Sequence, residues 1–94
     1  MKDDIRNIPL EDARCILNEL RPVSFLFKKD KEKSMGLIAQ EVEDIEKRHG
    51  YLYPLFKVDE KGWYTIPYKN FIPLIVRVVQ EQQREIDKLK EARQ

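Results

Sequence analysis

Between Asn70 and Gln94 nothing in the sequence interrupts a helical pattern beyond Pro73, which a first turn tolerates. A helix of that length takes up about a quarter of the chain, so the remaining residues must form a body around its base. Asn70 suits the N-cap. In heptads, Ile72, Val79 and Ile86 share one core position, and Ile75, Gln82 and Leu89 the other. The flanks carry the pairs Glu81–Arg84, Glu85–Lys88 and Asp87–Lys90 at i,i+3 spacing. From Phe71 to Val79 the helix is expected to pack on the chain's own sheet. Beyond Gln80 only Ile86, Leu89 and Ala92 are apolar, and an isolated helix of about 15 residues is marginal in water. Partner helices would stabilise it, and copies of itself are the simplest partners. β-Branched residues at both core positions suit three strands, with Gln82 fixing register.

The preceding residues read as one small α+β body. Leu10, Ala13, Leu17 and Leu20 mark a helix that Pro22 stops. Pro9 suits its first turn, and Glu11 and Asp12 the positive end of its dipole. Val23–Phe27 is β-branched and aromatic, hence a strand. A charged loop from Lys28 to Lys33 follows, holding Ser34 as well. "GLIAQEVEDI", residues 36–45, then changes period: Gly36–Ala39 reads as a short strand, while Ile38, Val42 and Ile45 form a helical stripe that Gly50 closes. "LFKV" and "WYTI" flank Asp59-Glu60-Lys61-Gly62 as a hairpin, ended by Pro67. The expected organisation is one domain over 1–94: an α+β body over 1–69, with a small antiparallel sheet and short helices, and a long C-terminal helix over 70–94 forming a trimeric coiled-coil-like bundle.

Composition excludes several functions. Eighteen basic and seventeen acidic residues are interspersed along the chain, without the basic stripe of a nucleic-acid binder, so no nucleic-acid partner is expected. No apolar run reaches the ~20 residues of a membrane span, so no membrane partner is expected either. The single Cys15 excludes an internal disulfide and reads as a small buried thiol on a helix; the single His49, before Gly50, reads as a helix C-terminal residue. One His and one Cys so far apart give no zinc site, and the isolated glycines give no phosphate loop, so neither metal nor cofactor is expected. A small-molecule enzyme would need a convergent cluster that is missing.

Four stretches in order, "ILNELRPVSFLF", "GLIAQEVEDI", "LFKVDEKGWYTIPY" and "FIPLIVRVVQEQQREIDKLK", resemble the intramolecular chaperone auto-processing domain found at the C-terminus of phage tail spikes, neck appendages and endosialidases. The family's glycine–hydrophobic–Ile-Ala-Gln-Glu-Val block is matched by Gly36 through Val42, including Gln40 and Glu41, and its tyrosine before the last helix by Tyr68. The resemblance implies a homotrimer that guides folding of an upstream fibrous domain of the same polypeptide, in the host cytoplasm during virion assembly. It also implies release by serine–lysine self-cleavage at the domain's N-terminal boundary, leaving the mature virion without the domain.

"MKDDIRNI" matches the end of the family's Ser-Asp-x-x-x-Lys pattern and makes Lys2 the counterpart of the dyad lysine; the serine position falls ahead of Met1. Ser24 reads as a strand residue and Ser34 as loop, both far along the chain from Lys2, so the chain as it stands is expected to be inactive in cleavage. By analogy, Gln40 and Glu41 are expected near the base of the long helix, bonded to backbone or to a neighbouring chain; Glu41 as a plain first-turn residue is the simpler alternative. Catalysis by Glu41 is a further alternative. A permanent trimerisation or adaptor module without processing, and an active protease with its serine restored, are the rival readings.

Overall fold

The structure, a computed structural model, describes residues 2–93. The first helix, α1, spans Leu10–Glu19 and opens directly on Pro9, with Glu11 and Asp12 in its first turn. Strands β1 (Val23–Leu26) and β2 (Lys33–Gly36) form an antiparallel hairpin in which Val23 pairs with Gly36 and Phe25 with Ser34. Helix α2 runs over Ala39–Arg48, and β3 (Lys57–Val58) and β4 (Tyr64–Thr65) make a second, minimal hairpin. A 3₁₀ turn at Tyr68–Phe71 leads into α3, Ile72–Ala92. The fold is α+β, with two separate two-stranded sheets.

The strand at the corner lies upstream of where the hydrophobic run suggests. Lys31 adopts φ 58° and its N–H bonds Phe27 O at 2.9 Å, while Asp30 Oδ1 accepts from Glu32 N–H at 3.1 Å. This tight turn returns the chain to pairing at Lys33, so Ser34 is a strand residue. Leu37 packs against the core cluster instead of joining the ladder, and Ile38 stands immediately ahead of α2. Both hairpins close on aspartates: Asp59 Oδ1 accepts from the N–H groups of Lys61 and Trp63, each at 2.9 Å, and Gly62 supplies the φ of 85° that the second turn needs.

The core forms where three helices meet. Ala13 and Ile16 of α1, Val42 and Ile45 of α2 and Leu74 of α3 are buried together with Leu55 of the loop after α2 and Phe71 of the 3₁₀ turn. α3 therefore packs on α1, and the expected packing of its first half on a sheet is replaced by helix-on-helix contact. The 4-residue and 2-residue hairpins offer too little surface to cover a helix. Glu46 is the one charged core residue among those described; its Oε1 accepts from Leu55 N–H at 3.1 Å, and its backbone carbonyl accepts from Tyr51 at the end of α2. Cys15 is half-buried, not buried, and its Sγ–H donates to Glu11 Oε1 at 3.4 Å, which holds the thiol pKa up and the sulfur protonated.

Asn70 does not cap α3. Its side chain donates to Pro54 O at 2.9 Å, tying the loop after α2 to the base of α3, and the 3₁₀ turn takes over the helix start. Of the three expected pairs along α3, Arg84–Glu81 forms at 3.0 Å. Glu85 instead reaches Arg14 on α1 at 3.1 Å, and Asp87 accepts from Gln83 at 3.0 Å.

Candidate functional site: the α3 stripe and the corner beside it

Helix α3 divides lengthwise. Phe71, Leu74 and Val78 turn toward α1 and the core. On the adjoining side Ile72, Ile75, Val76, Val79, Ile86 and Leu89 stand exposed, with Ile72 at 58% and Leu89 at 65%. The six seam positions are five of these, Ile72, Ile75, Val79, Ile86 and Leu89, together with Gln82, which is also exposed, and none is charged. A single apolar side chain on a surface means little, but a stripe continuing from the body onto a protruding helix marks a contact surface. Fixing Ile72 at the first core position makes Phe71, Val78 and Glu85 one flank, and Val76, Gln83 and Lys90 the other.

The corner residues Gly36 and Tyr68 meet. Tyr68 Oη accepts from Leu37 N–H at 3.1 Å, and a Cβ on Gly36 would stand 2.5 Å from that oxygen. Only glycine lets the phenol lie across the backbone here, which gives a physical reason for both residues. Tyr68 also packs on Phe71 with ring centroids 6.4 Å apart. Beside this lock lies an open groove of about 500 Å³, walled by Leu17 of α1 and Leu20 just after it, Met35 and Leu37 at the corner, and Tyr68 and Ile75 at the base of α3.

Gln40 and Glu41 are not part of that lock. Gln40 is exposed at the start of α2. Glu41 sits in the first turn of α2 and takes a two-pronged ion pair from Arg21 of the same chain, at 3.2 and 2.6 Å. The hydrogen bond from Arg21 holds the Glu41 carboxyl below the usual carboxylate range. At the other end of α2, Glu19 of α1 accepts from Arg48 at 3.2 Å and meets His49 Nε2 at 3.0 Å, so His49, at the C-cap, also bridges two helices.

Lys2 is exposed, in a segment without regular structure that bends at Asp4 and is exposed through Asn7. Arg77 Nε donates to Ile8 O at 2.9 Å and pins the start of α1 against α3. A groove lined by Arg6, Ile8, Ile72, Val76 and Arg84 runs beside this junction, so the N-terminal segment leaves the body along the stripe-bearing helix. Ser24 and Ser34 lie on β1 and β2. Among the described residues no cluster of His, Cys, Asp or Glu could hold a metal ion, and no helix is long and apolar enough to cross a membrane.

Sequence reading missed Arg21, Glu46 and Arg77. Periodicity gives no sign of Arg21 or Arg77; Glu46 falls four residues after Val42, on the apolar side of α2, and that placement was the available signal.

A scan against protein families matches residues 1–51 to the family described as chaperone of endosialidase. That is more than half of the chain, and the chain belongs to this family. Comparison with curated proteins and with solved structures returns no match.

Proposed function

We propose that this domain is an intramolecular chaperone that trimerises through α3 and thereby guides the folding of a fibrous domain upstream in the same polypeptide. The observation that carries the reading is the uncharged stripe of Ile72, Ile75, Val79, Gln82, Ile86 and Leu89, uncovered in the single chain and continuing past the body. Membership of the chaperone-of-endosialidase family supports the chaperone role. An intertwined fibre depends on long-range contacts between chains, which form slowly and expose misassembly-prone surface. Joining three chains at one end makes the remaining pairing effectively intramolecular, at local concentrations of roughly millimolar. The bundle acts in the host cytoplasm during virion assembly.

Release by self-cleavage completes the proposal. Lys2 would take the proton from a serine hydroxyl contributed by residues ahead of it as that oxygen attacks the scissile carbonyl; the proton then passes to the leaving amine as the peptide C–N bond breaks, and water hydrolyses the resulting ester. A lysine does this only when neutral, which burial brings about by lowering its pKa. Lys2 is exposed in the single chain, so that burial has to come from the upstream segment or from a neighbouring copy. Cleavage would remove the reverse route and leave the fibre kinetically trapped.

Light scattering tests the first step: the mass should be three times 11.3 kDa, and a monomer at high concentration overturns the proposal. Refolding the upstream domain with and without this one tests the chaperone step, and equal yields reject it. Extending the chain by its native upstream residues should release a fragment on a gel. A trimer that stays uncleaved and attached to its mature fibre identifies a permanent trimerisation module instead.

A further inference from the structure

We propose that the apolar groove beside the Gly36–Tyr68 lock is the seat for the first turns of α3 from the next copy, with Val76 of that copy entering opposite Phe71. This rests on the trimer reading above and specifies which surface of the body takes part.

The groove and the stripe are continuous, because Ile75 belongs to both. Phe71 also lines the groove, and it lies on the flank of α3 opposite to Val76. In a parallel bundle, a residue on the first flank faces the residue five positions later on the second flank of the neighbour. Phe71 then faces Val76, Val78 faces Gln83, and Glu85 faces Lys90. The first pair is apolar on apolar and the last joins opposite charges; no pair sets like charges together. No charged side chain lines the groove, which suits an apolar visitor. An antiparallel neighbour would bring the far end of α3, with Gln83 and Lys90, against that uncharged wall, and burying them unpaired is costly.

Because the groove lies on one flank and Val76 on the other, each copy gives a ridge and receives one. Such a head-to-tail contact closes into a ring when the rotation between copies permits, and the trimer reading requires a third of a turn. Trimerisation would then read the folded state of the body, since Tyr68, held over Gly36, forms part of the seat.

Met35 provides the test, being 82% exposed on β2 and outside the helix stripe. The full chain carrying Met35→Asp should show a trimer dissociation constant raised about a hundredfold by light scattering. Its unfolding curve under monomeric conditions should match that of the unsubstituted chain. Trp63→Asp, on the other hairpin and 69% exposed, should leave association unchanged. Independently, Met35→Cys with Val76→Cys in a Cys15→Ser background should give a covalent three-chain species with a flexible bismaleimide, and neither single cysteine should. If Met35→Asp disturbs folding, the cross-link alone decides. A trimer that tolerates Met35→Asp, or one that gives no covalent three-chain species, overturns the groove assignment and leaves the trimer standing. A monomeric unsubstituted chain overturns both.

Discussion

The two halves of α3 are held in helical form by different forces. From Ile72 to Val79 one side of the helix belongs to the core, where Leu74 is 1% exposed. From Gln80 to Arg93 every described residue except half-buried Glu81 is exposed, and the Arg14–Glu85 ion pair is the one described side-chain bond back to the body. The first half is helical because tertiary packing fixes it. The second half has good helix formers and short-range pairs, but a segment of that length rarely holds its shape alone in water. One continuous helix thus joins a region that needs only its own chain to a region that needs company, and the stripe crosses the join without a break.

The sharpest way to break this comparison is to damage each half separately. Leu74→Ala removes a fully buried side chain at the meeting of α1, α2 and α3. It should cost about 2–5 kcal/mol of body stability, measured by denaturant unfolding, and should abolish assembly as a consequence. A loss below about 1 kcal/mol would show that the core does not depend on α3. Ile86→Asp strikes the outer half, where Ile86 is 46% exposed. Association should weaken about a hundredfold, close to 2.8 kcal/mol, while the body's unfolding midpoint at low protein concentration stays put. A parallel fall in body stability would show that the outer half folds back on its own chain.

Gly36→Ala sharpens the comparison at the base of α3. The new methyl would stand 2.5 Å from Tyr68 Oη, so either the phenol or the hairpin must shift. The expected loss is about 1–3 kcal/mol, as for other overpacked sites. Removing the hydroxyl with Tyr68→Phe should cost about 0.5–1.5 kcal/mol alone, for the bond to Leu37 N–H, yet relieve part of the Gly36→Ala loss in the double variant. Strictly additive losses would mean that the two residues do not share a site.

Legibility in the sequence followed the range of the interaction. The α1 and α3 patterns, the α2 stripe and the Asp59–Gly62 turn are local, written in residues a few positions apart, and the structure places all of them within two residues of expectation. The corner was misplaced because Leu37 is apolar for packing on the core, whereas the ladder residues of β2, Lys33 to Gly36, alternate between exposed and half-buried and carry only one large apolar side chain, Met35. Asn70 looked like a cap for the same local reason, while its actual partner, Pro54, lies 16 positions away. The Gly36–Tyr68 lock and the Arg21–Glu41 pair span 31 and 20 positions between their bonded groups, and no periodicity announces such meetings. The motif residues were identifiable by resemblance; which of them touch was not.

The smallest effect belongs to Glu41, and its sign follows from the ion pair. Arg21 lowers the Glu41 carboxyl pKa from 4.5 in the folded chain, so the folded state holds the ionised form more tightly than the unfolded state does. The pair's contribution is therefore fully present above the unfolded pKa and fades as pH falls through the lower folded value. Arg21 is exposed and Glu41 only half-buried, so the contribution is small and salt screens it. Glu41→Gln should be slightly less stable than the unsubstituted chain near pH 7. The gap should close as acid protonates Glu41, and also on raising salt at neutral pH, both read from unfolding midpoints. If Glu41 mainly served a contact between copies, the gap would instead grow with protein concentration. That outcome would move the start of α2 from the self-sufficient part of the molecule to the part that needs a partner.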